Sequence, residues 1–275
     1  MRRVQMKHEG FGENEMSNGA AYSLPSESDV TNHVKTIASS ESTYQGSIFS
    51  LDCSGLTANF FGKLPEQPPQ DLKRNIQLSA KRFMDILLSL AILAFLAPLL
   101  LIVAAAIKIN SSGPVLFKQE REGILGKTFS ILKFRTMYVD DCDPSGVGQT
   151  TKADSRVTPV GNFLRRTSID ELPQLLNVVK GDMSIVGPRP HVGGQQAAGL
   201  AYRELVPYYD MRHMMRPGLT GWAQANGYRG PTIDRIRSKA RIDHDIAYVQ
   251  NFSLWLDIVI IFRTLKAEFI TGNGY

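Results

Sequence analysis

Two adjacent carboxylates, Asp170 and Glu171, lie in the stretch Arg165–Pro190, RRTSIDELPQLLNVVKGDMSIVGPRP, with basic residues at both ends. Leu172, Leu175, Leu176 and Val179 recur at i, i+3, i+4 and i+7, which predicts a short helix burying that face. Lys180 followed by Gly181 supplies its stop. Ser168 to Glu171 matches a capping box, S-x-x-E. That register would place Pro173 too far inside the helix, so a start with Asp170 as N-cap fits better. Neighbouring helix residues point about 100° apart, which suits the two carboxylates to different roles. Capping alone remains the bland alternative.

Lys133, Arg135, Arg165, Arg166 and Arg189 surround this pair in the sequence. Arg and Lys beside carboxylates form either a structural ion network or a clamp for phosphate. Phosphoryl transfer needs cations for the phosphate charge, a metal held by carboxylate, and a positioned nucleophile, which an Asp can be. Other chemistries lack their signatures. The five histidines, His8, His33, His191, His213 and His244, form no H-E-x-x-H pair and are expected at the surface. No G-x-S-x-G elbow, G-x-G-x-x-G loop or Walker sequence is present. Cys53 and Cys142 have no metal spacing, and two cysteines make no disulfide framework. Trp222 and Trp255 read as packing or interface anchors.

The elements that must position this chemistry divide the chain of 275 residues. A net charge of +5 with 31 Lys and Arg suits a membrane surface or a phosphorylated substrate. Residues 1–75 lack apolar periodicity and read as a disordered tail without a signal peptide. From Ile86 to Ile107 the chain carries no charge. A straight helix of that length rises about 33 Å, enough to cross a bilayer core. Lys73, Arg74, Lys81 and Arg82 precede it and Lys108, Lys118, Arg121, Lys127 and Lys133 follow. Basic flanks on both sides, with Pro98 in the middle, suit a helix that enters, breaks and leaves by one face over 76–110, a single tilted span being the alternative. Asp85 at its edge is expected to cap the helix or pair with Arg82.

Two short strands follow, near Val115–Phe117 and Phe129–Phe134. A loop occupies 139–156, and Thr158-Pro159 opens a helix. Gly187-Pro188-Arg189-Pro190 is a rigid loop that places one guanidinium. Helices are expected over about 195–214 and 233–250. The segment from Leu254 to Phe269 is apolar enough to lie in an interface but too polar to span. The fold class is therefore α+β, mostly helical. A re-entrant helix precedes a small cytoplasmic catalytic domain, residues 111–275, with amphipathic interfacial helices. The interleaving of basic and apolar membrane-type sequence argues against nucleic acid as a partner.

Lys81-Arg82-x-x-Asp85, the apolar run with Pro98, Lys133-Phe134-Arg135-Thr136-Met137, Ser168 to Gln174, Asn177 to Pro190, Arg216 to Gln224 and Asn251 to Asp257 occur in that order. In this the chain resembles the bacterial sugar transferases, the monotopic phosphoglycosyl transferases acting on polyprenyl phosphate. The resemblance covers about Lys81 to Ile270 and is nearest to the short enzymes that start exopolysaccharide repeat units. It implies transfer of a hexose-1-phosphate, with glucose or galactose favoured, from a UDP-sugar to undecaprenyl phosphate with release of UMP. It implies Mg²⁺, Asp170 as a nucleophile carrying a covalent phosphosugar, and Glu171 as the metal ligand. Lys133, Arg135, Arg165 and Arg189 fall on positions that would bind phosphate and substrate. The implied place is the cytoplasmic face of the bacterial inner membrane, with room for a homodimer. A non-catalytic scaffold and a membrane phosphatase are the rival readings.

Overall fold

The computed structural model describes residues 72–139, 154–230 and 233–271. Most of the tail expected over 1–75, the loop around Cys142, and His8, His33 and Cys53 lie outside them.

Helix α1, Leu72–Asn110, is continuous for 39 residues and includes Pro98. It opens at Leu72, four residues ahead of the expected boundary, and Arg74 Nη2 donates to Val249 O at 2.8 Å. The expected break is not a break in the helix: a proline removes one donor and bends a helix without having to end it. Among the described residues α1 is the one helix long and apolar enough to cross a membrane. Leu87, Phe95, Leu101 and Ile102 are exposed along its middle. Lys81, Asp85 and Ser89, at i, i+4 and i+8, form a buried polar stripe at its start. Asp85 does not pair with Arg82. It accepts from Ser184 Oγ at 2.7 Å and Ile185 N–H at 3.1 Å. At the other end, Val103 and Ile107 pack with Phe134 and Leu164.

Strands β1, Leu116–Glu122, and β2, Thr128–Phe134, form an antiparallel hairpin, with Phe117 opposite Lys133 and Arg121 opposite Phe129; β2 lies where it was expected, whereas β1 starts at Leu116 and runs five residues past the expected Phe117. Helix α2, Pro159–Arg166, starts as predicted: Thr158 Oγ1 accepts from Gly161 N–H at 2.9 Å and proline occupies the first position. Helix α3, Gln174–Lys180, follows, and Gly181 ends it in the left-handed conformation at φ 104°. Arg82 donates to the carbonyls of Val178 at 2.6 Å and Val179 at 2.9 Å, closing the last turn of α3 with a cation.

Beyond α3, β3, Ser184–Val186, pairs in parallel with β6, Gly218–Thr220. The helix expected over 195–214 is absent. Its place is taken by a small hairpin of β4, Gln196–Ala197, and β5, Leu200–Ala201, then α4, Tyr202–Leu205, and a 3₁₀ helix, Tyr209–Met214. Ala198 and Gly199 both have positive φ, which makes the hairpin turn, and Pro207 prevents α4 from running on. Helix α5, Trp222–Ala225, α6, Arg235–Gln250, and α7, Leu254–Thr271, complete the chain. Val186, Trp222, Tyr248, Phe252 and Ile260 form the core where these last helices meet the β3–β6 pair. Trp222 is buried there, whereas Trp255 is exposed on α7.

Candidate functional site

Asp170 and Glu171 sit in a 3₁₀ turn, Ile169–Glu171, just before α3. Neither caps a helix: α3 begins at Gln174 with Pro173 as its N-cap, and Ser168 makes no capping bond. Ser168 has φ 55°, a left-handed conformation that costs a residue with a Cβ about 1–2 kcal/mol. The buried face of α3 also differs from the predicted one. Gln174, Leu175, Asn177 and Val178 are buried, while Leu176 is 41% exposed. The reason is Asn177. Its Oδ1 accepts from Leu132 N–H at 2.9 Å and its Nδ2 donates to Ser130 O at 2.8 Å. One buried amide thus completes two backbone groups of β2, and α3 turns to present it. This bond ties the acidic turn to the strand that carries Lys133.

Glu171 is clamped from two sides. Lys133 Nζ lies 2.8 Å from Oε1. Arg189 approaches as a fork, Nη2 to Oε1 at 2.6 Å and Nη1 to Oε2 at 3.2 Å. Burial alone would raise the Glu171 pKa, but Arg189 and Lys133 outweigh it and hold the carboxyl well below the usual range. Asp170 behaves oppositely. It is 9% exposed, and burial pushes its pKa up to about 6. Lys133 opposes that rise and the Glu171 charge adds to it. Among the described residues, no donor makes a hydrogen bond to the Asp170 carboxylate. Adjacent carboxylates with divergent pKa values are a mark of divided roles.

Three other predicted residues are placed differently. Arg165 is half-buried, with Nε donating to Thr136 Oγ1 at 2.8 Å, and its charge is felt at Asp170. Gly161 permits this, because a Cβ there would collide with the Thr136 backbone. Arg135 does not belong to the site: it is buried, and its guanidinium serves the carbonyls of Ser111, at 2.9 Å, and Ser112 at the end of α1. Arg166 is exposed.

Arg121 is more than a basic flank of the apolar run. Its charge is instead felt together with those of Arg189 and Glu171. Burial, with Arg189 nearby, pushes its pKa down to about 10, and Nη1 reaches Pro190 O at 3.4 Å. The signal was available in the hairpin register. Opposed residues share a face, and the period of two puts Phe117, Gln119 and Arg121 on the face that carries Lys133. The expectation of surface histidines fails for His191 and His213, which are 3% and 6% exposed. His191 packs against the Tyr202 and Tyr209 rings at 4.9 and 5.9 Å between centroids. Burial, with Arg212 nearby, holds its pKa well below the usual value, so it is neutral.

Among the described residues, no three His, Cys, Asp or Glu side chains gather as a metal cluster. The donor set is one carboxylate pair beside three guanidiniums and an ammonium. It suits a polyanion, or a hard cation that takes one or two carboxylates and the remaining oxygens from a bound phosphate.

The family model for bacterial sugar transferases matches residues 76–271 of this chain. An exopolysaccharide production protein, PSS, of Rhizobium leguminosarum bv. phaseoli is 54% identical over 200 residues, covering 73% of this chain and 100% of that protein. A UDP-glucose:undecaprenyl-phosphate glucose-1-phosphate transferase of Caulobacter vibrioides is 48% identical over 195 residues, 71% of this chain and 72% of the relative. The Escherichia coli protein of the same name is 47% identical over 195 residues, 71% of this chain. The chain matches only 41% of the length of that relative.

Proposed function

The chain belongs to the bacterial sugar transferase family, and from that premise we propose that it transfers a hexose-1-phosphate from a UDP-sugar to undecaprenyl phosphate. Glucose is the sugar in the names of the Caulobacter and Escherichia relatives, and we carry it over as the first candidate. The same carry-over makes the step the membrane start of exopolysaccharide synthesis, in keeping with the name of the rhizobial relative.

The carrying observation is the asymmetry of the acidic pair: Glu171 is held by Lys133 and Arg189, while Asp170 is buried and, among the described residues, receives no hydrogen bond on its carboxylate. In the proposed reaction the Asp170 carboxylate attacks the phosphorus that bears the sugar. The bond to the bridging oxygen breaks, its electron pair leaves with UMP, and an aspartyl phosphosugar remains. An oxygen of the lipid phosphate then attacks the same phosphorus and returns Asp170 as carboxylate. With a pKa of about 6, Asp170 is mostly ionised at neutral pH and competent to attack. Lys133, Arg165, Arg189 and Arg121 neutralise the diphosphate.

Mg²⁺ fits this donor set, with Glu171 as protein ligand and phosphate oxygens completing the shell, and would supply charge neutralisation for the departing UMP. Since both Glu171 oxygens are engaged by Arg189 and Lys133, those cations would have to turn toward phosphate as the metal binds.

The contacts of α1 support a re-entrant topology. Lys81 and Asp85 near its start, and Val103 and Ile107 near its end, all meet the same domain. A helix that crossed the bilayer would separate those two ends onto opposite sides. The apolar middle would dip into one leaflet, on the cytoplasmic face of the inner membrane, and α7 with exposed Trp255 and Phe262 would lie in the interface.

The test is incubation of the full chain in undecaprenyl-phosphate membranes with UDP-glucose labelled at the sugar-bearing phosphate. Wild type should release UMP, form a labelled lipid and carry transient label on protein. Asp170→Asn should lose all three while staying membrane-bound. Turnover by that variant would refute the covalent route, and free sugar phosphate without lipid product would make the protein a phosphatase. Glu171→Gln should raise the Mg²⁺ requirement; an unchanged Mg²⁺ titration would remove its metal role.

A further inference from the structure

Four consecutive carbonyls of the Pro188–His191 loop are each held by a donor from elsewhere in the fold. Gly218 N–H donates to Pro188 O at 3.0 Å and Glu122 N–H to His191 O at 2.9 Å. Arg121 Nη1 donates to Pro190 O at 3.4 Å. Arg212 Nη2 donates to Arg189 O at 2.5 Å. With proline fixing φ on both sides of Arg189, little freedom remains in the backbone that carries its guanidinium.

The Arg212 contact is the costly one to build. Arg212 and Asp245 are 1% and 2% exposed, and removing two charges from water carries a desolvation penalty of several kcal/mol per ion. Asp245 Oδ2 accepts from Arg212 Nη2 at 2.7 Å and Nε at 3.1 Å. Arg212 Nη1 donates to Tyr209 Oη at 3.3 Å, and Tyr209 Oη lies 2.9 Å from His191 Nδ1. Tyr209 and Arg212 are three apart in a 3₁₀ helix, where i and i+3 eclipse, so both face the loop. One guanidinium thereby joins α6, the 3₁₀ helix and the backbone of the residue that clamps Glu171. The planar fork of Arg reaches these three acceptors together; a Lys ammonium could neutralise Asp245 but not reproduce the set.

We propose that the buried Arg212–Asp245 pair is a positioning device: it sets the Arg189 backbone so that the Arg189 guanidinium meets Glu171 and the substrate phosphate. This rests on the reading of the site as a phosphoryl-transfer centre. Arg212 acts through Arg189 and is a positioning residue.

The experiment is a double-mutant cycle on UDP-glucose binding, made with the full chain in nanodiscs in an Asp170→Asn background that blocks turnover. Arg212→Lys keeps a buried cation opposite Asp245. The combined Arg212→Met and Asp245→Leu variant removes both charges and guards against a misfolded single mutant, with unfolding midpoints recorded for each. Either change should weaken binding roughly 10- to 100-fold, the scale of one lost charge-assisted contact to phosphate. Adding Arg189→Met should then cost less than about threefold more, because Arg189 is already misplaced. The proposal is overturned if Arg189→Met costs the same factor with and without the Arg212 change, which would make the pair merely structural. It is overturned equally if Arg212→Lys binds as tightly as its parent. Should Arg189→Met leave binding unchanged in the parent, the reading of Arg189 as a phosphate ligand fails, a result distinct from additivity.

Discussion

Two clusters of cations and carboxylates stand in this molecule, built from the same residue types and completed to different degrees. Where α1 meets the domain, Lys81 Nζ lies 2.6 Å from Asp257 Oδ2 and 3.8 Å from Asp85 Oδ2. Asp85 also takes Ser184 Oγ and Ile185 N–H, and Asp257 takes the Tyr248 hydroxyl at 2.7 Å. All three charged residues are buried and each has its partners. At the acidic turn only Glu171 is matched. Asp170 is 9% exposed, and among the described residues no donor makes a hydrogen bond to its carboxylate. Burial of a carboxylate that its neighbouring cations do not fully offset raises its pKa and lowers stability at neutral pH. The first cluster ties α1 to the domain, whereas the second pairs Glu171 with Lys133 and Arg189 and gives Asp170 no hydrogen bond from a described residue.

The largest effect should come from breaking the completed cluster. Lys81→Met leaves Asp85 and Asp257 buried with no cation between them, which costs about 3–5 kcal/mol. Chemical unfolding of the protein in detergent micelles reads this directly. A loss below about 1 kcal/mol, the worth of a solvated pair, would mean that the junction is wet and the contrast false.

The incomplete cluster should respond with the opposite sign. The folded-state pKa of Asp170, about 6, is raised above its unfolded value of 3.8, so folding favours the protonated form. Its ionised form therefore counts against folding, fully so above pH 6 and not at all below pH 4. Asp170→Asn removes the charge at similar size. The variant should gain up to about 3 kcal/mol at pH 7.5, at about 1.4 kcal/mol per unit, and nothing near pH 3.5. Equal stability of the two proteins across that range would mean that Asp170 is not strained.

Local signals carried the parts of the fold that were legible in advance. Thr158-Pro159, the β2 strand, Lys180-Gly181 and the 233–250 helix need only near neighbours to be specified. Long-range demands decided the rest. Asn177 turns α3 because two backbone groups of β2 need an amide, and no periodicity of Leu and Val reports that. Arg135 carries the same charge as Lys133 and lies two positions away, yet the open carbonyls at the end of α1 claim it. Arg121 is brought to the site by strand register. The acidic pair itself is legible as a motif, but its setting is not. It occupies a strained 3₁₀ turn ahead of the helix, and its two members differ in partners rather than merely in direction.

The smallest effect on the fold should come from Lys133, and it sharpens the comparison most. Lys133 is 20% exposed on its side chain, and its partner Glu171 keeps Arg189, so near pH 4, where Asp170 is protonated and its shifted pKa costs nothing, Lys133→Met should shift unfolding by no more than about 1 kcal/mol. Catalysis should register the loss where stability does not. Lys133 is the strongest influence holding down the Asp170 pKa against burial, so its removal leaves the carboxyl protonated to higher pH. In the proposed reaction attack needs the carboxylate, so kcat/KM of the wild type should fall as pH drops through about 6, and in Lys133→Met that acid limb should move upward in pH. A limb that stays in place while activity falls would assign Lys133 to phosphate binding alone. A limb that moves downward would contradict the electrostatic coupling between the two residues.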